Sequence, residues 1–278
     1  MDTLTFRVDH ISIGCASLTK TRERYLQRGF ITHSGGFAGL PNAHVAQVRF
    51  VNGTGIQLIE MSFSRRYRWK RNRLYKRFAR RGAESGALLN AVRTFHAFDR
   101  GASGYKSYAL TAPDTDDVHD HLRECGYLYA GVTDYIDLTG VSVAYNTFVT
   151  GESPSEPIVY TGPPPAGDVQ PNASTGLFRV EIGTRNPADT VKRIARLTGS
   201  SILEGASAQV PRPTLRVGEV NLEISSVDTS LEEGVVEAGI QAGFPGHNVL
   251  YAPEANDDAA LHVSYRSVAP EPEAENWV

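Results

Sequence analysis

The sequence predicts an α+β fold assembled from repeated βαβββ modules. Three observations predict it: a grammar of strand, cap, amphipathic helix and glycine stop that occurs three times, constant spacings within that grammar, and paired alternating segments after two of the helices. Counted from His10, Ser107 and Arg179, the cap follows at +7 each time (Ser17, Asp114, Asn186). The closing glycine follows at +19, +19 and +20 (Gly29, Gly126, Gly199).

In the first unit residues 8–14 alternate as a strand, Ser17 caps a helix with Tyr25 and Leu26 on its inner face, and Gly29 ends it. Residues 43–51 and 55–61 then read as two strands joined by a glycine-bearing turn. The second unit runs from a strand over 105–111 through Asp114 to a helix whose Val118, Leu122 and Cys125 share one face, with strands at 142–149 and 157–161. The third has a strand at 177–183, Asn186 as cap, Pro187 at the first helical position, Val191, Ile194 and Leu197 inside, and strands at 213–217 and 219–225. Strands at 248–252 and 261–266 begin a fragment of a fourth. The stretch 162–172, with Pro163, Pro164, Pro165 and Pro171, reads as a linker, and the tail from about residue 269 as frayed. The expected division is 1–165, two modules, and 166–278, a divergent second domain.

Composition bounds the function. At 278 residues, 41% hydrophobic and 21% charged, the chain is long and apolar enough for a real core, and no apolar run approaches the roughly 20 residues of a bilayer span. Without a secretory pattern at its start, and with only Cys15 and Cys125, it reads as cytoplasmic. The net charge of -3 hides an asymmetry: residues 64–81 hold ten of the 28 basic residues and no acid, which leaves the remainder at 18 minus 31, or -13. That acidic remainder argues against nucleic acid as a partner. Tyr67, Leu74 and Phe78 fall on one stripe, so the segment reads as a connecting helix whose arginines face solvent, the acidic remainder or a partner subunit. No nucleotide-type glycine loop, nucleophile elbow or pair of CxxC motifs is present.

With VDHISIG opening and GTGIQLIEM closing the first module, ITHSGGFAGLPNAHV between them and SYALTAPDTDD opening the second, the sequence resembles the vicinal oxygen chelate superfamily, and more narrowly its glyoxalase-like domains. The resemblance is best over residues 5–165 and more divergent over 175–268. It implies curved mixed sheets around a cleft, where a divalent ion is held by one residue from the first strand and one from the fourth of each module.

Strand parity says which side chains can face such a cleft. Ile11 and Ile13 turn to the helix layer, so His10, Ser12 and Gly14 turn away; Ile56 and Leu58 likewise leave Gln57, Ile59 and Met61 on the cleft side. Gln57 stands where the family's fourth-strand carboxylate sits, while Glu60, the nearby acid, has the wrong parity unless a bulge intervenes. The resemblance thus implies His10, Gln57 and Glu60 as metal ligands, for Zn, Fe, Ni or Mn without distinction. It implies His44 and Glu60 as catalytic groups, and Ser12, His33, Ser107 and Thr161 against a small-molecule ligand. Ser107 and Arg179 at the positions matching His10 are not usual ligands, so no full quartet is present. Glu181, Asn221 and Glu223 have cleft-facing parity in the third module, where Arg179 and Glu181 read as a buried ion pair, with an anion-binding arginine as the alternative. His119 and His121 with Asp116, Asp117 and Asp120 read as a solvated helix face. The function expected is a metal-assisted enzyme of isomerase, lyase or dioxygenase type acting on a small oxygenated molecule. The alternative is a metal-free binding or resistance protein using the same cleft.

Overall fold

A computed structural model describes residues 4–35, 43–61, 86–87, 89–90, 93–94, 104–136, 141–151, 153, 155–164, 166–203, 212–228, 233–242, 247–253 and 261–267. The basic segment 64–81 and the tail from 269 lie outside them. Fifteen described strands form two strongly curled mixed sheets.

The first module is β1 (Arg7–Gly14), α1 (Leu18–Gln27), β2 (His33–Gly35), β3 (Ala43–Arg49) and β4 (Gly55–Met61). The second is β5 (Gly104–Ala112), α2 (Asp116–Glu124), β6 (Leu128–Ile136), β7 (Ser142–Val149) and β8 (Ile158–Thr161). They share one sheet in the order β2-β3-β4-β1-β5-β8-β7-β6, in which β1 and β5 meet antiparallel and each pairs in parallel with the last strand of its own module. A parallel pair needs a crossover, and the helix supplies it. The third module repeats the plan with β9 (Ser174–Thr184), α3 (Pro187–Thr198), β10 (Ile202–Leu203), β11 (Thr214–Val217) and β12 (Val220–Ser226). A fourth unit of β13 (Gly234–Ala242), β14 (His247–Pro253) and β15 (Leu261–Ser267) completes the second sheet, β10-β11-β12-β9-β13-β14-β15. β13 and β14 lie four residues apart in the chain and pair antiparallel, where the other modules have a helix after their first strand, and this is what makes the fourth unit degenerate.

Three helices put their apolar stripes into one core with both sheets. Tyr25 of α1, Val118 and Leu122 of α2, and Val191, Ile194 and Leu197 of α3 pack with Ile11, Ile56, Leu110, Val180 and Leu222. Leu26, expected inside α1, is instead exposed. Ser17 caps α1 as expected, and Gly199 ends α3 in the left-handed conformation at φ 68°. The cap of α2 is Thr115 rather than Asp114; its hydroxyl accepts from the Val118 N–H at 3.4 Å. Thr115→Ala should cost about 1 kcal/mol, read as a lower urea midpoint with an unchanged slope. His121 is not a solvated residue: its Nε2 lies 2.9 Å from the Leu197 carbonyl of α3, closing the last turns of two helices together.

Residues 166–172 are more than a spacer. Gln170 is buried, Asn172 donates its side-chain N–H to the Arg28 carbonyl at 3.0 Å, and a Cβ on Gly167 would stand 2.2 Å from the Phe50 carbonyl oxygen. The stretch therefore lies directly on the first module.

Candidate functional site on the first sheet

β1 carries the site, and a bulge shapes it. Opposite β5 the register slips between Val8 and His10, so Asp9 has no partner of its own. A bulge lets consecutive side chains project toward the same side of a strand. His10 Nδ1 lies 2.6 Å from Asp9 Oδ2, while the other carboxylate oxygen, Oδ1, accepts from Arg49 Nη1 at 2.7 Å. Arg49 also donates Nε–H to Gln47 Oε1 at 2.9 Å. All four side chains are buried. Burial alone would raise the Asp9 carboxyl; the Arg49 guanidinium, with His10, overcomes this and holds it well below the usual carboxylate range. His10 Nε2 has no hydrogen-bond partner among the described residues. Asp9, Arg49 and Gln47 were not singled out from the sequence; the aspartate beside the histidine in VDH was the one visible signal.

Around this group the registers assemble a face. Ser12 stands opposite Gln57 on β4 and Ser107 on β5, and Ser12 Oγ donates to Gln57 Oε1 at 3.1 Å. His10 stands opposite Ala109, and its ring stacks on Tyr160 with centroids 6.0 Å apart. Tyr160, Tyr145, Ala109, Ile158 and Val143 make an apolar, aromatic wall to one side of the histidine. Beside it Thr111, which pairs with Tyr160, has a buried hydroxyl without a partner among the described residues. Polar groups thus lie to one side of His10 and an aromatic wall to the other.

The structure brings His10, Ser12, Gln57 and Ser107 onto this face, as parity indicates. Thr161 is not among them. It pairs with Asn146, and its hydroxyl donates to Asp114 at 2.7 Å and lies 3.1 Å from His119 Nε2 of α2, which puts it on the helix-covered side. That contact also takes His119 out of a solvated face. Tyr160, one residue earlier, holds the cleft-facing place.

Glu60 is a second correction. β3 and β4 pair without a bulge from Ala43 to Arg49, so Glu60 keeps its helix-side parity, and its Oε2 accepts from the Leu18 N–H at 2.7 Å. The carboxylate is committed to the first turn of α1, where the helix dipole favours negative charge. It therefore stands on the opposite side of the sheet from His10. His44 pairs with Glu60, shares that face and is exposed. His33 pairs with Gln47 at the sheet edge, half-exposed, with Nε2 3.1 Å from Asp168.

In the second sheet Arg179 takes the place of His10. It donates to Glu181, Glu223 and Glu237, each at 2.8 Å, so the expected ion pair is one arginine within three carboxylates. Glu223 pairs with Glu181 as Gln57 pairs with Ser12. Among the described residues no group of three or more His, Cys, Asp or Glu is placed to hold a metal ion.

The chain matches the family model for a glyoxalase-like domain over residues 8–198. A comparison with curated protein sequences finds no match. Among solved structures, a hypothetical protein from Staphylococcus aureus is similar at a TM-score of 0.59 and 12% identity, covering 94% of this chain and 98% of that one. The Mn(II)-bound glyoxalase from Novosphingobium aromaticivorans is similar at 0.49 and 11%, over 85% of this chain and 65% of that one. A mutant of 4-hydroxymandelate synthase from Streptomyces coelicolor is similar at 0.48 and 11%, over 84% and 70%. At such identities the likeness concerns the fold.

Proposed function

This chain belongs to the glyoxalase-like domain family of the vicinal oxygen chelate superfamily, and from that premise we propose that it is an enzyme acting on a small oxygenated molecule, with His10 as the side chain that meets the reacting atoms. The observation that carries the reading is a buried histidine whose Nδ1 is engaged by an ionised aspartate and whose Nε2 has no partner among the described residues. An imidazole so held is suited to take a proton from a carbon beside a carbonyl and to return it. Ser12 and Gln57 supply polar contacts to the oxygens of the ligand, and the Tyr145 and Tyr160 wall supplies an apolar one to its body. The Thr111 hydroxyl is a further group that a guest would satisfy.

The divalent ion implied by the family does not fit this face as a centre complete in protein ligands. Glu60 serves α1 on the other side, both Asp9 oxygens are taken, and the remaining donors are the His10 nitrogen and the Gln57 amide oxygen. The same neutral donor set supports the second reading, a binding protein that holds its ligand without turnover. Among the described residues no helix is long and apolar enough to cross a membrane, and the two free thiols support the cytoplasm as the compartment.

The test combines metal analysis of protein purified without chelator with solvent deuterium incorporation into a panel of α-hydroxyketones and 2-oxoacids. Exchange should occur, and His10→Gln should slow it by roughly 10²–10⁴-fold. Exchange that survives His10→Gln would overturn the assignment, and binding without exchange would favour the second reading. Stoichiometric metal that survives His10→Ala would move the centre elsewhere, with Glu181 and Glu223 the first place to look.

A further inference from the structure

Residues 166–172 leave β8 for the second sheet, yet they turn back onto the first module and reach the residues behind His10. The Gln170 side chain, 2% exposed, is used at both ends: its Oε1 accepts from the Ile31 N–H at 2.7 Å, and its Nε2 donates to the Arg49 carbonyl at 2.8 Å. Two flanking ties hold the stretch down, His33 Nε2 to Asp168 at 3.1 Å and the Asn172 N–H to the Gly29 carbonyl at 3.2 Å. From Arg49 the chain of contacts continues through its guanidinium to Asp9 at 2.7 Å and from Asp9 to His10 Nδ1 at 2.6 Å.

We infer that this stretch is a positioning strap for the site. Gln170 fixes the backbone of Arg49, Arg49 fixes the carboxylate of Asp9, and Asp9 sets the tautomer of His10, so that the proton sits on Nδ1 and Nε2 is the acceptor. Each link is buried, and the chemistry of the donors imposes the direction. A guanidinium has only N–H groups to offer, so whatever faces it must accept. A carboxylate accepts from both sides and therefore obliges the imidazole to donate through Nδ1. The inference deepens the reading of His10 as the residue that meets the ligand and rests on it. It makes Asp9, Arg49 and Gln170 positioning residues, and it makes the segment between the modules part of the site rather than a tether.

The experiment is long-range ¹H–¹⁵N spectroscopy of the full chain labelled at histidine nitrogen, at about pH 8, above the ordinary histidine range. No substrate or metal is needed. The wild-type protein should show His10 as the neutral tautomer protonated at Nδ1. Asp9→Asn should invert it: Arg49 forces the amide oxygen toward itself, the amide N–H₂ then faces His10, and Nδ1 must accept, leaving the proton on Nε2. A merely structural aspartate would predict no such inversion. Gln170→Met should leave the folded chain with a mixture of the two tautomers, because the Arg49 backbone loses its anchor and the residue no longer fixes the Asp9 carboxylate against His10; a folded Gln170→Met protein with the proton wholly on Nδ1 overturns the strap. Should Gln170→Met fail to fold, Asp168→Ala, which cuts the flanking tie to His33, gives the same readout for the strap, and the wild-type tautomer with the Asp9→Asn inversion decides its last link. A wild-type His10 protonated at Nε2, or an Asp9→Asn protein that keeps the proton on Nδ1, overturns the strap. The Nδ1-protonated tautomer in a protein that exchanges no substrate proton would leave the strap standing and remove only the catalytic reading.

Discussion

Arg179→Met is expected to cost about 3–5 kcal/mol of stability, because it removes the cation that bonds all three of Glu181, Glu223 and Glu237. Burial works against the arginine's charge, but Glu223, Glu237 and Glu181 outweigh it and raise the guanidinium above its ordinary range. In the variant those carboxylates face one another, with Arg212 touching Glu181 alone. Crowded like charges raise each other's affinity for protons. Their folded values then lie above the unfolded ones, so protonation favours the folded state and the variant regains stability relative to the wild type as pH falls through that raised range. Urea unfolding of both proteins at about pH 7.5 and about pH 5 checks this, since the gap should shrink at the lower pH. Equal stability at neutral pH would show that Arg179 is not the cluster's counterion. Glu181→Gln with Glu223→Gln in the Arg179→Met background should recover much of the loss.

The parts of the fold that could be read from the sequence are those whose periodicity survives in the chain. β1 from His10 onward, β4 and β9 alternate, with the caps of the first and third modules at a fixed distance, and so the placing of His10, Ser12 and Gln57 on one face follows from parity alone. β6 and β13 were not legible, because glycines and bulges interrupt them: Gly131 at φ 111° sits at a register slip in β6, and β13 slips at three places. β8 is four residues long and buried on both faces, which leaves no alternation to tell Tyr160 from Thr161. The roles of Glu60 and Gln170 depend on backbone groups 42 and 139 residues away in the chain, respectively, and local pattern carries no trace of such contacts. Asp9 has the parity of the core-facing side in a regular strand. Only the bulge returns it to the side of His10, and a bulge forms between two strands, so one strand's sequence does not announce it.

That same bulge makes Arg49→Met the other large expected effect, again about 3–5 kcal/mol, because it strands a buried carboxylate. In the wild type the Asp9 carboxyl lies well below its unfolded value of about 3.9. Its contribution is therefore complete above about pH 4 and is lost as pH falls through the depressed folded value. In the variant burial acts without the guanidinium and moves the carboxyl upward, so protonation relieves the buried charge instead of breaking a pair. The two stability curves should converge on acidification from about pH 7 to about pH 3. Asp114 and Glu233 are also held below the ordinary carboxylate range, the first chiefly by the Thr161 hydroxyl, the second by Arg185 against its own burial. Both remain in the variant, so the acid loss they cause appears in each curve and cancels in the difference. Chemical unfolding across that range measures the difference directly. Parallel curves would mean that Asp9 is not paired with Arg49 in solution, and the positioning of His10 through that pair would fall with it.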